Sequence, residues 1–112
     1  MGKIYAFGAI VTKVVEIDMP AGFNLYQNHP NPFNPITNII YELPIDCHVN
    51  LEIYNIIGQN ITTVVNEYQE AGRKIACWNG MNENGMKVSS GVYCYRLDAG
   101  AFTATKKMVL MR

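Results

Sequence analysis

Residues 37–43 read TNIIYEL and residues 49–54 read VNLEIY, and in both stretches apolar side chains recur at every second position. A period of two places alternate side chains on one face, so it predicts half-buried β-strands. Similar short runs follow at residues 61–65, 73–78, 92–97 and 101–111. Polar or glycine-rich turns separate them, including one predicted at 67–72 and another at 79–85. Regular short strands without a helical period predict an all-β antiparallel sandwich of about seven strands.

The composition fits one small globular domain. The chain has 112 residues, of which 49% are hydrophobic and 16% are charged. That size supports one modest core. The 9 basic and 9 acidic residues cancel, so no overall field would attract nucleic acid or an anionic membrane. No stretch is long enough to span a bilayer as a helix.

Residues 1–22 stand outside the regular pattern. Residues 3–17 are rich in β-branched and aromatic types and predict one strand or two short ones, before residues 18–22 break the pattern. The start loosely imitates a signal peptide, but Gly8 interrupts its apolar stretch and no small-x-small cleavage site precedes Glu16. We therefore assign residues 1–22 to the end of an upstream region and a linker, and residues 23–112 to the domain.

Prolines crowd the segment at residues 23–35, which we call the connector. Proline fixes φ and removes a backbone donor, so the connector is neither helix nor central strand. We expect a stiff, extended segment, pinned to the core by Phe23, Leu25 and Phe33. The P-x-x-P pattern inside it would suit an aromatic groove of a partner, but clamping onto its own domain is the favoured interpretation. Its candidate functional residues are Pro30, Asn31, Pro32, Phe33, Asn34 and Pro35.

Residue patterns typical of enzymes and metal sites are missing from the sequence. His29 and His48 have no partner nearby, and no nucleophile-elbow pattern surrounds Ser89. Cys47 and His48 resemble half of a zinc site, without a second ligand pair at zinc spacing. Oxygen ligands for Ca²⁺ would be available if the loops met, but turn geometry explains these residues better: Asn79, Asn82, Glu83, Asn84 and Asp98. We expect no enzyme activity, metal, cofactor or small-molecule substrate.

The chain has three cysteines, Cys47, Cys77 and Cys94, which cannot all pair with one another. Each lies in or beside a β-rich run, where a free cysteine behaves as a small hydrophobic residue. A Cys77–Cys94 disulfide stays open as an alternative if their strands are neighbours.

A series of motifs follows in order from residue 23. It begins with FNLYQNHPNPFNP, TNIIYELP and VNLEIYN at residues 23–35, 37–44 and 49–55, and continues with GQ, AG, WNG, NG, VSSGVY, YRL, AG and TKKM at residues 58–59, 71–72, 78–80, 84–85, 88–93, 95–97, 99–100 and 105–108. Together these motifs closely resemble the type A C-terminal sorting domains of the type IX secretion system, also called Por secretion, of Bacteroidetes-like bacteria. The section from Trp78 to Tyr93 also resembles the immunoglobulin-like domain of flagellar hook-capping proteins, which implies an immunoglobulin-like sandwich.

The resemblance implies a non-enzymatic tail that directs a larger cargo protein through the periplasm and the outer membrane. The partners it implies are the outer-membrane type IX secretion machinery and its sortase-like surface protease, which removes the tail. The cargo would be secreted or held at the cell surface. By analogy, sorting information lies in residues 91–112, at Gly91, Tyr93, Tyr95, Leu97, Gly100, Lys106, Lys107 and Met108.

A machinery that accepts folded cargo has to read a surface. We expect the final strand, residues 102–111, to lie at a sheet edge where unpaired backbone groups can receive a partner strand. Lys106 and Lys107 would guard that edge and face an acidic receptor patch, or simply keep the strand soluble. Gly91 and Gly100 are expected to set the turns of the last two strands. Core positions, rather than contacts, are predicted for Trp78, Tyr93, Tyr95 and Leu97.

Two other functions fit a small β-sandwich. A carbohydrate- or surface-binding module would need an exposed row of aromatic side chains, for which the candidates are Tyr5, Tyr26, Tyr54 and Tyr68. A structural assembly domain, like the hook-capping relative, would self-associate. A homodimer through exposed edge strands is also possible.

Overall fold

The computed structural model describes residues 20–112. The strand predicted at residues 3–17, Tyr5 and most of the proposed linker lie outside these residues. Within residues 20–112 there is no helix, and seven strands follow one another along the chain. They are β1 (Asn24–Leu25), β2 (Thr37–Leu43), β3 (Cys47–Asn55), β4 (Asn60–Gln69), β5 (Gly72–Trp78), β6 (Gly91–Ala99) and β7 (Phe102–Leu110).

The strands form two antiparallel sheets that pack face to face. The small sheet has the order β1-β2-β5, and the large sheet has the order β4-β3-β6-β7. This arrangement confirms the predicted all-β sandwich of seven strands. It also confirms that the final strand lies at a sheet edge.

The core lies between the sheets and follows the period-two pattern. In β3, for example, Val49, Leu51 and Ile53 are fully buried while the side chains between them face outward. Trp78 at the end of β5 is also buried, as predicted. The alternation in the sequence therefore identified the inner faces of β2 and β3.

One predicted turn is wrong in extent. Residues 67–69 belong to β4, because Glu67 pairs with Val49 and Gln69 pairs with Cys47. Only Glu70 and Ala71 separate β4 from β5. A polar composition suits this strand because β4 is the other edge of the large sheet and has little to bury.

The sheet arrangement also shows whether Cys77 and Cys94 can form a disulfide. Cys77 lies on β5 of the small sheet and Cys94 on β6 of the large sheet, so their strands are not neighbours. All three cysteines are free. Burial raises the pKa of the Cys47 thiol above its usual range, which keeps it protonated.

The connector crosses from one sheet to the other. It first pairs with β2 through β1 and through a bridge between His29 and Asn38. It then forms a parallel bridge between Phe33 and Leu110 of β7. The prediction that it is neither helix nor central strand is confirmed. Leu25 and Phe33 are buried, and Phe23 stacks on Phe102 with ring centroids 5.2 Å apart.

Candidate sorting surface

Strands β6 and β7 form a regular hairpin, which we call the closing hairpin. Its register runs without a shift from Gly91 opposite Leu110 to Ala99 opposite Phe102. The turn consists of Gly100 and Ala101, and Gly100 has a φ of 59°. Tight hairpin turns of two residues require positive φ, which glycine adopts without strain. Gly100 therefore sets the turn as predicted, but the prediction for Gly91 is wrong because it is the first residue of β6.

The inner face of the closing hairpin is part of the core. Tyr93, Tyr95 and Leu97 on β6 are buried, which confirms the core positions predicted for them, and Met108 on β7 is buried as well. These four candidate residues lie together, but their side chains do not reach the surface. Their contribution in the folded domain is to fix the position of the hairpin.

An aromatic cluster joins the closing hairpin to the connector. The ring of Trp78 lies between Phe33, at a centroid distance of 5.7 Å, and Tyr93, at 5.4 Å. The Trp78 indole donates a hydrogen bond to the carbonyl oxygen of Met81 at 2.9 Å. The Tyr93 hydroxyl donates to the carbonyl oxygen of Ser89 at 2.7 Å. Both buried polar groups are therefore satisfied, as burial requires.

Tyr95 clamps the connector where it leaves the small sheet. Its hydroxyl donates to the carbonyl oxygen of Tyr26 at 2.7 Å and accepts from the backbone N–H of Asn28 at 2.9 Å. Burial raises the pKa of Tyr95 to about 12, because a buried phenolate would lose its hydration. The neutral hydroxyl is therefore the form that holds the connector.

A buried polar group continues this clamp along the connector. The Asn28 side-chain amide donates to the Thr37 hydroxyl at 2.9 Å and to the carbonyl oxygen of Pro30 at 3.1 Å. The Thr37 hydroxyl in turn donates to the carbonyl oxygen of Pro30 at 2.9 Å. Asn28 and Thr37 are the buried polar residues of the described chain, and their side chains are satisfied by each other and by the carbonyl oxygen of Pro30. Sequence reasoning missed the contacts among Asn28, Thr37 and Tyr95, because Tyr95 is far from the other two along the chain.

The connector covers part of the outer edge of β7. The Phe33 N–H donates to the Val109 oxygen at 3.0 Å, and the Met111 N–H donates to the Phe33 oxygen at 2.9 Å. The Val109 N–H donates to the Asn31 side-chain oxygen at 3.0 Å, and the Gln27 side-chain amide donates to the Lys107 oxygen at 2.7 Å. We call residues 107–111 the covered half of the edge.

The other half of the edge is open. Backbone groups of alternate residues point the same way in an antiparallel strand. Thr103 and Thr105 therefore direct their N–H and C=O to the same side as Val109. Within residues 20–112 no backbone group pairs with that side of either threonine. We call residues 103–105 the open half.

The two lysines of β7 lie on opposite faces. Lys107 is exposed on the outer face of the large sheet, whereas Lys106 is half-buried on the side that faces the small sheet. In the described chain neither lysine forms an ion pair. Neighbouring residues of a strand point to opposite faces, so the two ammonium groups leave β7 on different sides. That both face one acidic receptor patch stays a prediction.

A charged network occupies the middle of the outer face of the large sheet. The Arg96 guanidinium lies 3.2 Å from a carboxylate oxygen of Asp98 and 3.6 Å from one of Glu52. It also lies 5.4 Å from the centre of the Tyr54 ring, whose hydroxyl donates to Glu52. The Thr103 hydroxyl donates to Asp98 at 2.8 Å. The two carboxylates of this network, Glu52 and Asp98, are therefore engaged.

Arg112 fastens the segment after β7 to two loops. Its guanidinium donates to the carbonyl oxygens of Gly80 and Val88, each at 2.6 Å. Its backbone N–H donates to the Ser90 hydroxyl at 2.8 Å. A side chain at Gly80 would place Cβ 2.9 Å from the guanidinium. Sequence reasoning missed this role of Arg112, although Gly80 belongs to the Trp-Asn-Gly motif of the family.

The arrangement of the described residues does not favour the carbohydrate-binding row of tyrosines or the metal sites considered from the sequence. Tyr26 lies beside the small sheet, while Tyr54 and Tyr68 lie at opposite ends of the pairing between β3 and β4 in the large sheet, so these three do not form one row. No grouping of metal-ligating side chains occurs in residues 20–112. A search of the same residues for a helix that could cross a membrane gives none.

Comparison with known proteins identifies the family. The family model of secretion system C-terminal sorting domains, the Por secretion tails, matches residues 27–111. No curated protein sequence matches the chain.

Two solved structures share the fold. One is dimeric latent PorU from Porphyromonas gingivalis, with a TM-score of 0.64 and 19% identity over 78% of this chain and 9% of that protein. The other is PorZ of the same species, an essential surface component of its type IX secretion system, with a TM-score of 0.55 and 18% identity over 80% of this chain and 12% of that protein. The chain thus spans about a tenth of each of these proteins. It belongs to the family of secretion system C-terminal sorting domains, non-catalytic signals that direct cargo through the type IX system to the cell surface or the medium.

Proposed function

We propose that the type IX machinery reads this domain in its folded form, through the closing hairpin and the open half of its edge. The observation that carries this proposal is that, among residues 20–112, no backbone group pairs with the outer side of Thr103 or Thr105, on an edge strand whose other half is already covered. An unpaired edge can receive an extended segment of another protein, which adds to the sheet through backbone hydrogen bonds. A rigid sandwich holds that edge in one geometry.

The candidate sorting residues then fall into two roles. Tyr93, Tyr95, Leu97 and Met108 are buried and hold β6 and β7 against the core, while Gly100 sets the turn between them. Lys106 and Lys107 flank the edge on its two faces and oppose self-pairing, because adding charge to an edge makes strand-to-strand association of identical chains unfavourable. Gly91 opens β6 at the opposite end of the hairpin from Gly100.

The connector has a positioning role in this proposal. Its residues Asn31 and Phe33 pair with β7 and leave a defined length of edge open. Pro30, Pro32 and Pro35 restrict the backbone between these contacts. Asn34 shares the same stretch of connector. The machinery would therefore meet an edge of fixed length rather than a whole free strand.

For the remaining steps of export, we propose the route that is typical of the sorting-domain family. The upstream part of the protein is the cargo, and residues 1–22 form the end of that region and a linker. The cargo crosses the periplasm, the outer-membrane machinery binds the tail, and a sortase-like surface protease removes it. Any catalytic activity of the whole protein would belong to the cargo.

A reporter experiment tests the proposal. We would fuse residues 23–112 behind a periplasmic reporter and express the fusion in a bacterium with a working type IX system. We expect the reporter at the surface or in the medium, and its loss after deletion of residues 103–112. A reporter that stays in the periplasm with the intact domain would contradict the proposal.

A single substitution distinguishes the effect of blocking the open half of the edge from the effect of unfolding the domain. Thr105→Pro removes an N–H that points away from β6, so it blocks strand addition while the ladder to β6 stays intact. We expect a folded domain that is exported poorly. Export at the wild-type level with Thr105→Pro would exclude strand addition at the open half.

Pairing of two copies along the same edge is the competing use of this surface. Sedimentation of the purified domain measures it directly. A stable dimer that is lost in Thr105→Pro, together with normal export of that variant, would favour an assembly role.

A further inference from the structure

An apolar patch lies beside Lys107 on the outer face of the large sheet. Cross-strand pairing places Val92 opposite Val109 and Cys94 opposite Lys107. The Val92 side chain is 41% exposed, although it belongs to a central strand. Cys94 and Val109 are half-buried. This arrangement exposes hydrophobic surface next to one cation.

Ile56, in the loop after β3, extends the patch to the end of the sheet. Its side chain is 74% exposed. It lines one groove together with Tyr54, Cys94, Arg96 and Thr105, and a second groove together with Val92 and the residues before it. We call the surface formed by Ile56, Val92, Cys94, Lys107 and Val109 the Lys107 face. Exposed apolar patches next to grooves are typical of protein-binding surfaces.

The charges of this face are unbalanced. Glu52 and Asp98, the carboxylates of the neighbouring network, are engaged by Arg96, Tyr54 and Thr103. Lys107 forms no ion pair within residues 20–112. A partner that covers the face therefore gains most if it brings a carboxylate opposite Lys107, because it would otherwise bury an unpaired cation.

We propose that the Lys107 face binds a protein surface of the export machinery that combines apolar side chains with one carboxylate opposite Lys107. This inference rests on the proposed function and names the chemistry of the partner. In this proposal Lys107 contacts the partner, whereas Lys106 does not, because Lys106 lies on the other face of the same strand.

A second copy of this chain fits the same face poorly. Two-fold symmetry would bring equivalent patches together. Lys107 would then approach Lys107 of the other copy, and like charges across an interface oppose association. A receptor of complementary charge avoids this penalty.

Two matched pairs of variants test the inference in the full chain, fused behind the periplasmic reporter. Lys107→Glu and Lys106→Glu make the same charge change at neighbouring residues on opposite faces. Ile56→Asp and Ile57→Asp change two loop side chains of equal exposure, 74% each, of which Ile56 lines the grooves. We expect about tenfold less reporter in the medium for Lys107→Glu and Ile56→Asp, as for a residue worth about 1.4 kcal/mol of binding. Lys106→Glu and Ile57→Asp should be exported like the wild type.

Thermal unfolding of each purified chain shows whether it folds. If Lys106→Glu unfolds because that side chain is half-buried, Lys106→Gln and Lys107→Gln replace the pair. Equal export of all variants, or equal losses within each pair, would overturn the inference while leaving the proposed function standing. Retention of the wild-type fusion in the periplasm would instead overturn the proposed function.

Discussion

The two halves of the outer edge of β7 differ although they belong to one strand. In the covered half, the connector satisfies the backbone of Val109 through Asn31 and Phe33. In the open half, Thr103 and Thr105 have no such partner among the described residues. The comparison shows that an edge strand is not simply free or protected. A segment from the other end of the domain decides how much of the edge is available, and buried contacts hold that segment in place.

The largest expected effect comes from breaking the cluster that supports the covered half. Trp78→Ala removes the ring between Phe33 and Tyr93. We expect a loss of about 3–5 kcal/mol in the free energy of unfolding, the usual cost of truncating a buried tryptophan. Denaturant titration measures this loss. Tyr68→Ala, at an exposed position, is the control and should change stability by less than about 0.5 kcal/mol. Similar effects of the two changes would contradict the cluster's role.

Tyr95→Phe should loosen the connector while preserving the aromatic packing. It removes two hydrogen bonds and leaves the buried N–H of Asn28 without a partner, which costs about 1–3 kcal/mol. Hydrogen exchange locates the effect. The amides of Val109 and Met111, which bond the connector, should exchange faster, whereas the amide of Met108, which faces β6, should change less. Uniform acceleration along β7 would argue against local release.

Alkaline pH tests the same clamp without mutation. Burial raises the pKa of both Tyr95 and Tyr41 to about 12, against about 10 for a tyrosine exposed to water. The folded state therefore favours the protonated hydroxyls of Tyr95 and Tyr41. This stabilisation is complete below pH about 10 and is lost as the pH rises towards 12. The free energy of unfolding should fall over that window, and the fall should be smaller in Tyr95→Phe. A flat profile between pH 10 and 12 would contradict the burial of these hydroxyls.

The smallest expected effect comes from a substitution that tests where the covered half of the β7 edge ends and the open half begins. Asn31→Ala removes the side-chain acceptor of the Val109 N–H and should cost about 0.5–1.5 kcal/mol. Hydrogen exchange of Val109 should approach that of Thr105, so the open half would lengthen. Asn34→Ala, in the same connector, is the matched control. Unchanged exchange at Val109 would show that Asn31 does not define the boundary.

Much of the fold was predictable because strand and core positions depend on local alternation. The pattern at residues 49–54 identified Val49, Leu51 and Ile53 as inner residues. The same rule could have separated Lys106 from Lys107, since neighbours in a strand face opposite ways. Residues 67–69 were misassigned because a polar edge strand and a polar turn have similar compositions.

By itself, the sequence determined the strands, the inner face of the sandwich, the turn at Gly100 and the family motifs, because each depends on residues close together along the chain. The tertiary structure alone decided that Cys77 and Cys94 lie in different sheets, that Tyr95 clamps the connector and that half of the β7 edge is covered. Asn31 and Val109 are 78 residues apart. Contacts of that span depend on how the whole chain packs, which no local pattern records.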